Sequence, residues 1–227
     1  MIKLLSFADM ITLTNAVFGF LAMLFVFSGQ LRLAAIFILL GLLADGLDGY
    51  VARYLGTGKI GEYFESLADM LSLSVAPLLL LYTTLAETIA ASVWLHLLLS
   101  AVLVFSLVCS IIRLSSFSLL KDTHFFLGLP TSASAVFLVV LSIIKPDLWY
   151  VVPVVIVLAI AMISPVHFPK PGLSMNLVAA AFMVAVIVLG SMYNNVAPYL
   201  LLIALSAYII IGPFYLAIKK KTYLKEA

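Results

Sequence analysis

The sequence predicts an all-α polytopic membrane protein of about eight transmembrane helices, one integral membrane domain over residues 1–227 with both termini cytoplasmic. Three observations predict it. Of the 227 residues, 65% are hydrophobic and 10% charged, with a mean hydropathy of +1.27. Apolar runs of helical length recur along the chain, and lysine and arginine gather on one side of their alternation. A soluble domain carries about 45–50% apolar and about 25% charged residues, so an ordinary globular protein is excluded. The same scarcity of charge excludes a disordered or nucleic-acid-binding chain. A net charge of +2 implies no polyanionic partner, and Cys109, the one cysteine, cannot form an internal disulfide.

A helix crossing the hydrocarbon needs roughly 20 mostly apolar residues. Eight runs meet or approach this, at 8–28, 32–54, 62–84, 89–113, 131–145, 148–165, 173–190 and 196–217. Backbone polar groups must be satisfied within lipid, so each run is a helix, and a β-barrel would alternate instead. The 131–145 and 148–165 runs are short. The breaks are brief except near 114–130, and none holds a soluble domain. With eight alternating spans and a cytoplasmic start, Lys3, Arg53, Lys59, Arg113, Lys121, Lys170, Lys219, Lys220, Lys221 and Lys225 fall inside, and Arg32 and Lys145 fall outside. That asymmetry sets the orientation. The first run lacks a cleavage pattern and is read as retained. Pro77 removes an intrahelical bond and predicts a kink in the third span.

The acidic residues are concentrated. Asp45, Asp48, Glu62, Glu65 and Asp69 lie at the end of the second span and the start of the third. Ionisable groups in membrane helices are costly and by default mark a site facing protein or water. Asp45 and Asp48 stand at i,i+3, with Gly49 and Ala52 on the same face. In the next helix Gly61, Glu65 and Asp69 form an i,i+4,i+8 stripe, with Ser72 near its line; Glu62 is off the stripe and reads as a solvated end charge. The glycine-containing turn from Tyr54 to Ile60 makes the two helices antiparallel, so that the stripes can face each other. Facing carboxylates repel unless they hold cations or share protons. Oxygen ligands suit Mg²⁺, Mn²⁺ or Ca²⁺, and Mg²⁺ usually completes its shell with substrate phosphates. Phosphoryl chemistry is the expectation. Solvated interfacial charges are the plainer alternative, but they do not explain four carboxylates in register with glycines and an arginine.

The pattern Asp45-x-x-Asp48-Gly49-x-x-Ala52-Arg53, then Gly61-x-x-x-Glu65-x-x-x-Asp69, resembles the defining motif of the CDP-alcohol phosphotransferases. Glu65 stands where that motif has its third aspartate, and the stretch between Arg53 and Gly61 is one residue shorter. The segments 8–15, 72–77, 113–117, 126–131 and 163–169 resemble the phosphatidylserine synthase and archaetidylserine synthase branch, so the likeness covers most of the chain. It implies transfer of a phosphatidyl or archaetidyl group from CDP-diacylglycerol or CDP-archaeol to L-serine, with release of CMP. It implies two divalent cations per site (Mg²⁺ or Mn²⁺, with Ca²⁺ also able to occupy it), held by Asp45, Asp48 and Glu65. Asp69 becomes the catalytic base, with some metal contact. Gly49, Ala52, Arg53 and Gly61 correspond to the nucleotide side, together with Asp48. A homodimer in a plasma membrane, its active site facing the cytoplasm, completes the implication.

Outside the motif, Arg113 is a candidate for the serine carboxylate or the lipid phosphate, because a guanidinium grips either in bidentate fashion. The competing reading is an arginine that snorkels to the inner surface. Lys59 is a second candidate for phosphate, set against a solvated turn lysine. The lysines at 219–221 suit anionic headgroups. His96 and Cys109 read as packing residues, and His124 and His167 as solvated. Rival functions are the same chemistry with glycerol phosphate or inositol phosphate as acceptor, and divalent cation transport. Transport is disfavoured because the acids cluster at one membrane face instead of the midplane.

Overall fold

A computed structural model describes residues 6–55, 60–90, 92–117, 125–170, 172–190 and 192–226. Helix α1 (Phe7–Phe27) is followed by α2 (Leu31–Leu55), and a third rod comprises α3 (Gly61–Asp69), a π-helical segment (Met70–Val75) and α4 (Ala76–Thr84). The short α5 (Ala86–Ile89) leads to α6 (Val93–Phe117), strand β1 (Phe125–Leu127), α7 (Thr131–Ile144) and α8 (Leu148–Ile163). Strand β2 (His167–Pro169), α9 (Leu173–Leu189) and α10 (Met192–Glu226) complete the chain. Every apolar run of the sequence coincides with one of these rods. The largest difference is in the eighth, which runs from Met192 to Glu226, and the fourth begins four residues late, at Val93, and carries Arg113 inside its last turns.

Four stretches, Asp9–Phe27, Gly61–Thr84, Val93–Ser116 and Asn194–Leu216, are long and apolar enough to cross a membrane. Helix α2 has 25 residues but carries Arg32, Asp45, Asp48 and Arg53. Helices α7, α8 and α9 are shorter, at 14, 16 and 17 residues. A 14-residue helix is about 21 Å long, less than the ~30 Å hydrocarbon core. Helix α7 tolerates this because it is enclosed: Ala135 to Leu141 are all buried. The lipid side falls to other helices. Met10, Val17, Phe20, Leu24 and Phe27 are exposed along α1, as are Val104, Val108, Ile111 and Ile112 along α6.

Inside the bundle, one apolar cluster joins α4, α6, α7 and α8, with Leu81, Leu99, Val151 and Val155 wholly buried. A second joins α1, α2, α4, α7 and α9 around Ala22, Ile38, Leu39 and Val139. Because lipid tails are as apolar as leucine, such contacts are favoured by close packing instead of water exclusion, and small residues permit it. A Cβ added at Gly19 would lie 2.7 Å from the Ser72 Cα, so α1 and the π-helical segment touch backbone to backbone.

Where the sequence predicts a kink, at Pro77, the backbone departs from a regular α-helix just ahead of the proline. Ala76 N–H bonds to the Leu71 carbonyl, five residues back, and Pro77 then falls in the first turn of α4. The helix widens by a π-turn just ahead of the residue that cannot donate, and the rod continues to Thr84.

The long break at 114–130 also holds unexpected structure. Strands β1 and β2 pair antiparallel, Phe126 opposite Phe168. Gly128 follows at φ +77, in the left-handed region, and a Cβ there would collide with the Met162 carbonyl. Tyr208 Oη of α10 donates to the Pro169 carbonyl at 3.0 Å, clamping the ribbon to the last helix. His167, expected in solvent, is half-buried with its ring 4.4 Å from that of Phe125. His96 is a packing residue as expected, its Nδ1 3.3 Å from Tyr82 Oη, and Cys109 is buried.

Candidate active site

Short connections reverse the chain at each end of the bundle, so the end of α2, the starts of α1 and α3, and the end of α6 share one end. The third rod carries its carboxylates on a regular helix up to Asp69, where the π-helical segment begins. Gly61, its first residue, is buried; Glu65 and Asp69 are half-buried, and Glu62 is exposed. On α2, Asp45 is half-buried one turn beyond Gly41. Asp48, Gly49, Ala52 and Arg53 occupy the following two turns of α2, and their side chains lie outside the described residues. Lys59, Lys121, His124 and the side chains of Lys219, Lys220 and Lys221 lie outside them as well.

The packing between the motif helices has two parts. Helix α2 meets the third rod along the π-helical segment and α4, whereas α3 packs on α1. The first helix is therefore a wall of the site, a part that the sequence analysis did not give it. Its inward face is polar: Asp9, Thr12 and Asn15 are 2%, 5% and 0% exposed, at i, i+3 and i+6. That spacing was readable in the sequence as a polar stripe on an otherwise apolar helix. Asp9 completes a capping box: its carboxylate accepts from Ser6 N–H at 2.7 Å, and its own N–H donates to Ser6 Oγ at 3.3 Å. Two turns on, Asn15 Nδ2 donates to Asp69 Oδ1 at 2.9 Å. This hydrogen bond ties α1 to the last carboxylate of the motif. Ser72, one turn beyond Asp69, is wholly buried and returns its hydroxyl to the Ala68 carbonyl at 3.0 Å.

Arg113 is 7% exposed, on a helix that packs against α3 and the π-helical segment. A snorkelling arginine would be open to the interface, whereas Arg113 is buried. Ser106, Ser110 and Arg113 form the polar side of α6's inward face, at i, i+4 and i+7. Here too the polar side chains mark where the helix meets the bundle interior.

The motif side chains that are described fit a hard divalent cation in their chemistry: Asp45, Glu65 and Asp69 offer only oxygen, and all are half-buried. Among the described residues no three of His, Cys, Asp and Glu stand close enough to hold an ion, and the side chain of Asp48, the fourth carboxylate, is outside that set.

The relatives of the sequence give the class of protein to which this helical bundle and its carboxylate motif belong, a membrane transferase. Residues 5–166 match the CDP-alcohol phosphatidyltransferase family. The chain belongs to that family, whose members generally use divalent metal ions. It is 33% identical over 169 residues to a CDP-diacylglycerol–serine O-phosphatidyltransferase of Methanocaldococcus jannaschii, covering 74% of this chain and 76% of that one. It is 36% identical over 132 residues to an archaetidylserine synthase of Methanothermobacter thermautotrophicus, covering 56% and 54%. A serine O-phosphatidyltransferase of Mycobacterium bovis is 29% identical over 227 residues, covering 92% of this chain and 76% of the relative.

Proposed function

We propose that this protein transfers the phosphatidyl or archaetidyl group of a CDP-linked lipid to the hydroxyl of L-serine, releasing CMP. The observation that carries this reading is the carboxylate motif at positions 45–69, within a family match of residues 5–166 whose relatives are named for serine as acceptor. The lipid substrate is CDP-diacylglycerol or CDP-archaeol.

In this reading Asp45, Asp48 and Glu65 would hold two divalent cations, Mg²⁺ or Mn²⁺, with some contact from Asp69. Cations held there would supply positive charge against the pyrophosphate and the departing nucleotide. Asp69 accepts the proton of the serine hydroxyl as its oxygen bonds to the lipid-linked phosphorus. The phosphorus–oxygen bond to CMP breaks, and CMP leaves with that electron pair. An aspartate has an ordinary pKa of about 3.9 and serves as base only when held against the hydroxyl, so its placement matters more than its basicity. Gly49, Ala52, Arg53 and Gly61 receive the nucleotide, with Asp48 beside them. Buried Arg113 binds the serine carboxylate or the lipid phosphate, and Lys59 supplies further positive charge.

The eight rods cross a plasma membrane with both termini and the site on the cytoplasmic side, and the protein works as a homodimer. The charge asymmetry supports that orientation.

The test is CMP release by the purified protein in lipid nanodiscs containing CDP-diacylglycerol or CDP-archaeol, with Mg²⁺ or Mn²⁺. Serine, glycerol 3-phosphate and inositol phosphate are offered in turn. Release that requires serine is the expected result. Release only with a phosphorylated polyol, or with none of the three, refutes the assignment.

A further inference from the structure

Asn15 is wholly buried in the bundle, and among the described residues only one end of its amide is satisfied. Its Nδ2 donates to Asp69 Oδ1 at 2.9 Å, while its Oδ1 has no hydrogen-bond partner among the described residues. The orientation is dictated by chemistry, since an ionised carboxylate only accepts. A buried carbonyl oxygen with no donor is costly, and a leucine of similar size would carry no such cost.

The fold makes room for this arrangement. A Cβ added at Gly41 of α2 would come within 3.0 Å of Asn15 Oδ1 and 3.5 Å of Ser72 Cβ. Gly19, one turn beyond Asn15, brings α1 against the backbone of Ser72, just past Asp69. Two glycines thus close α1 onto its neighbours at the level where the amide meets the carboxylate. Packing alone does not call for a half-satisfied amide at the centre of that contact.

We infer that Asn15 is a positioning residue for Asp69: it holds one carboxylate oxygen on α1 and so fixes the rotation of the group that takes the serine proton. This rests on the reading of Asp69 as the base. A carboxylate turns readily about its last side-chain bond, because that torsion is broad and roughly two-fold. One fixed oxygen removes that freedom and gives the other a constant direction. Asn15 acts in the chemical step and leaves the binding of either substrate alone.

The test uses the full-length protein in nanodiscs, with serine-dependent CMP release and thermal unfolding measured on the same samples. Asn15→Leu is expected to lower kcat at least tenfold, to leave KM for serine and for CDP-lipid within threefold, and to leave Tm unchanged or raised. A variant kcat within twofold of the parent overturns the inference, as does a loss expressed in KM or accompanied by a lower Tm. Gly41→Ala is the second arm and decides the matter if Asn15→Leu does not fold. It keeps every polar group and presses a methyl on Asn15 Oδ1, so kcat should fall several-fold at unchanged KM. Parental kcat in Gly41→Ala overturns the inference. A parent protein with no serine-dependent release overturns the functional reading itself, and the inference falls with it; an active parent with unaffected variants overturns the inference alone.

Discussion

Gly19→Ala probes the contact on which the geometry of the site depends. The added Cβ would sit 2.7 Å from Ser72 Cα and 2.8 Å from Ser72 Cβ and N, where ordinary contact begins at 3.4 Å. The shortfall is about 0.7 Å, and the obstacle is backbone, which cannot rotate aside as a side chain would. Overpacking of this kind costs about 1–3 kcal/mol. Alanine's better helix propensity returns about 1 kcal/mol. The net destabilisation is therefore about 0–2 kcal/mol, a small fall in Tm. The functional effect is larger. If α1 yields by the shortfall, the 2.9 Å bond from Asn15 to Asp69 lengthens to about 3.6 Å, beyond the ~3.2 Å reach of an N–H···O bond. A misplacement near 1 Å is worth up to about 100-fold in rate, so turnover should drop by about 10- to 100-fold. CMP release in nanodiscs, with a thermal melt of the same preparation, measures both. Turnover within twofold of the parent at an unchanged Tm would refute the account of the α1 contact.

Three other outcomes are expected. Asp69→Asn should abolish turnover while leaving cation-dependent CMP binding measurable by calorimetry; an active variant removes Asp69 as base. Glu65→Asp shortens one ligand by a methylene and should change the ratio of Mg²⁺- to Mn²⁺-supported rates, since Mg²⁺ demands the stricter geometry; an unchanged ratio would separate Glu65 from the ions. Arg113→Met removes charge-assisted hydrogen bonds worth about 1.5–3 kcal/mol, so KM for serine or for CDP-lipid should rise by about tenfold or more. If neither KM moves in a folded protein, Arg113 does not touch substrate.

A polar group in a lipid-soluble rod is conspicuous, which is why so much of this protein was legible from its residues. The rods, their order and the acidic cluster at 45–69 follow from a hydropathy pattern with few exceptions. Other features were hidden because their signals are local and weak. The β1–β2 ribbon consists of two three-residue strands some forty positions apart, too short for any periodicity, and it exists because Gly128 and Tyr208 hold the two connections together. The π-turn ahead of Pro77 depends on which carbonyl the Ala76 N–H reaches, and composition does not state that.

By itself the sequence determined that the chain lies in a membrane as a bundle of apolar helices, with its costly carboxylates gathered at positions 45–69. Hydrophobicity and spacing are properties of a strand of residues, and they need no neighbour to be read. Only the tertiary structure decided which third helix closes on the motif. The stripe of Asp9, Thr12 and Asn15 was visible, but its partner, Asp69, lies 54 positions away across a glycine-lined contact. Which side chains meet across such a distance is fixed by how closely two backbones approach, and that is a property of the packed fold.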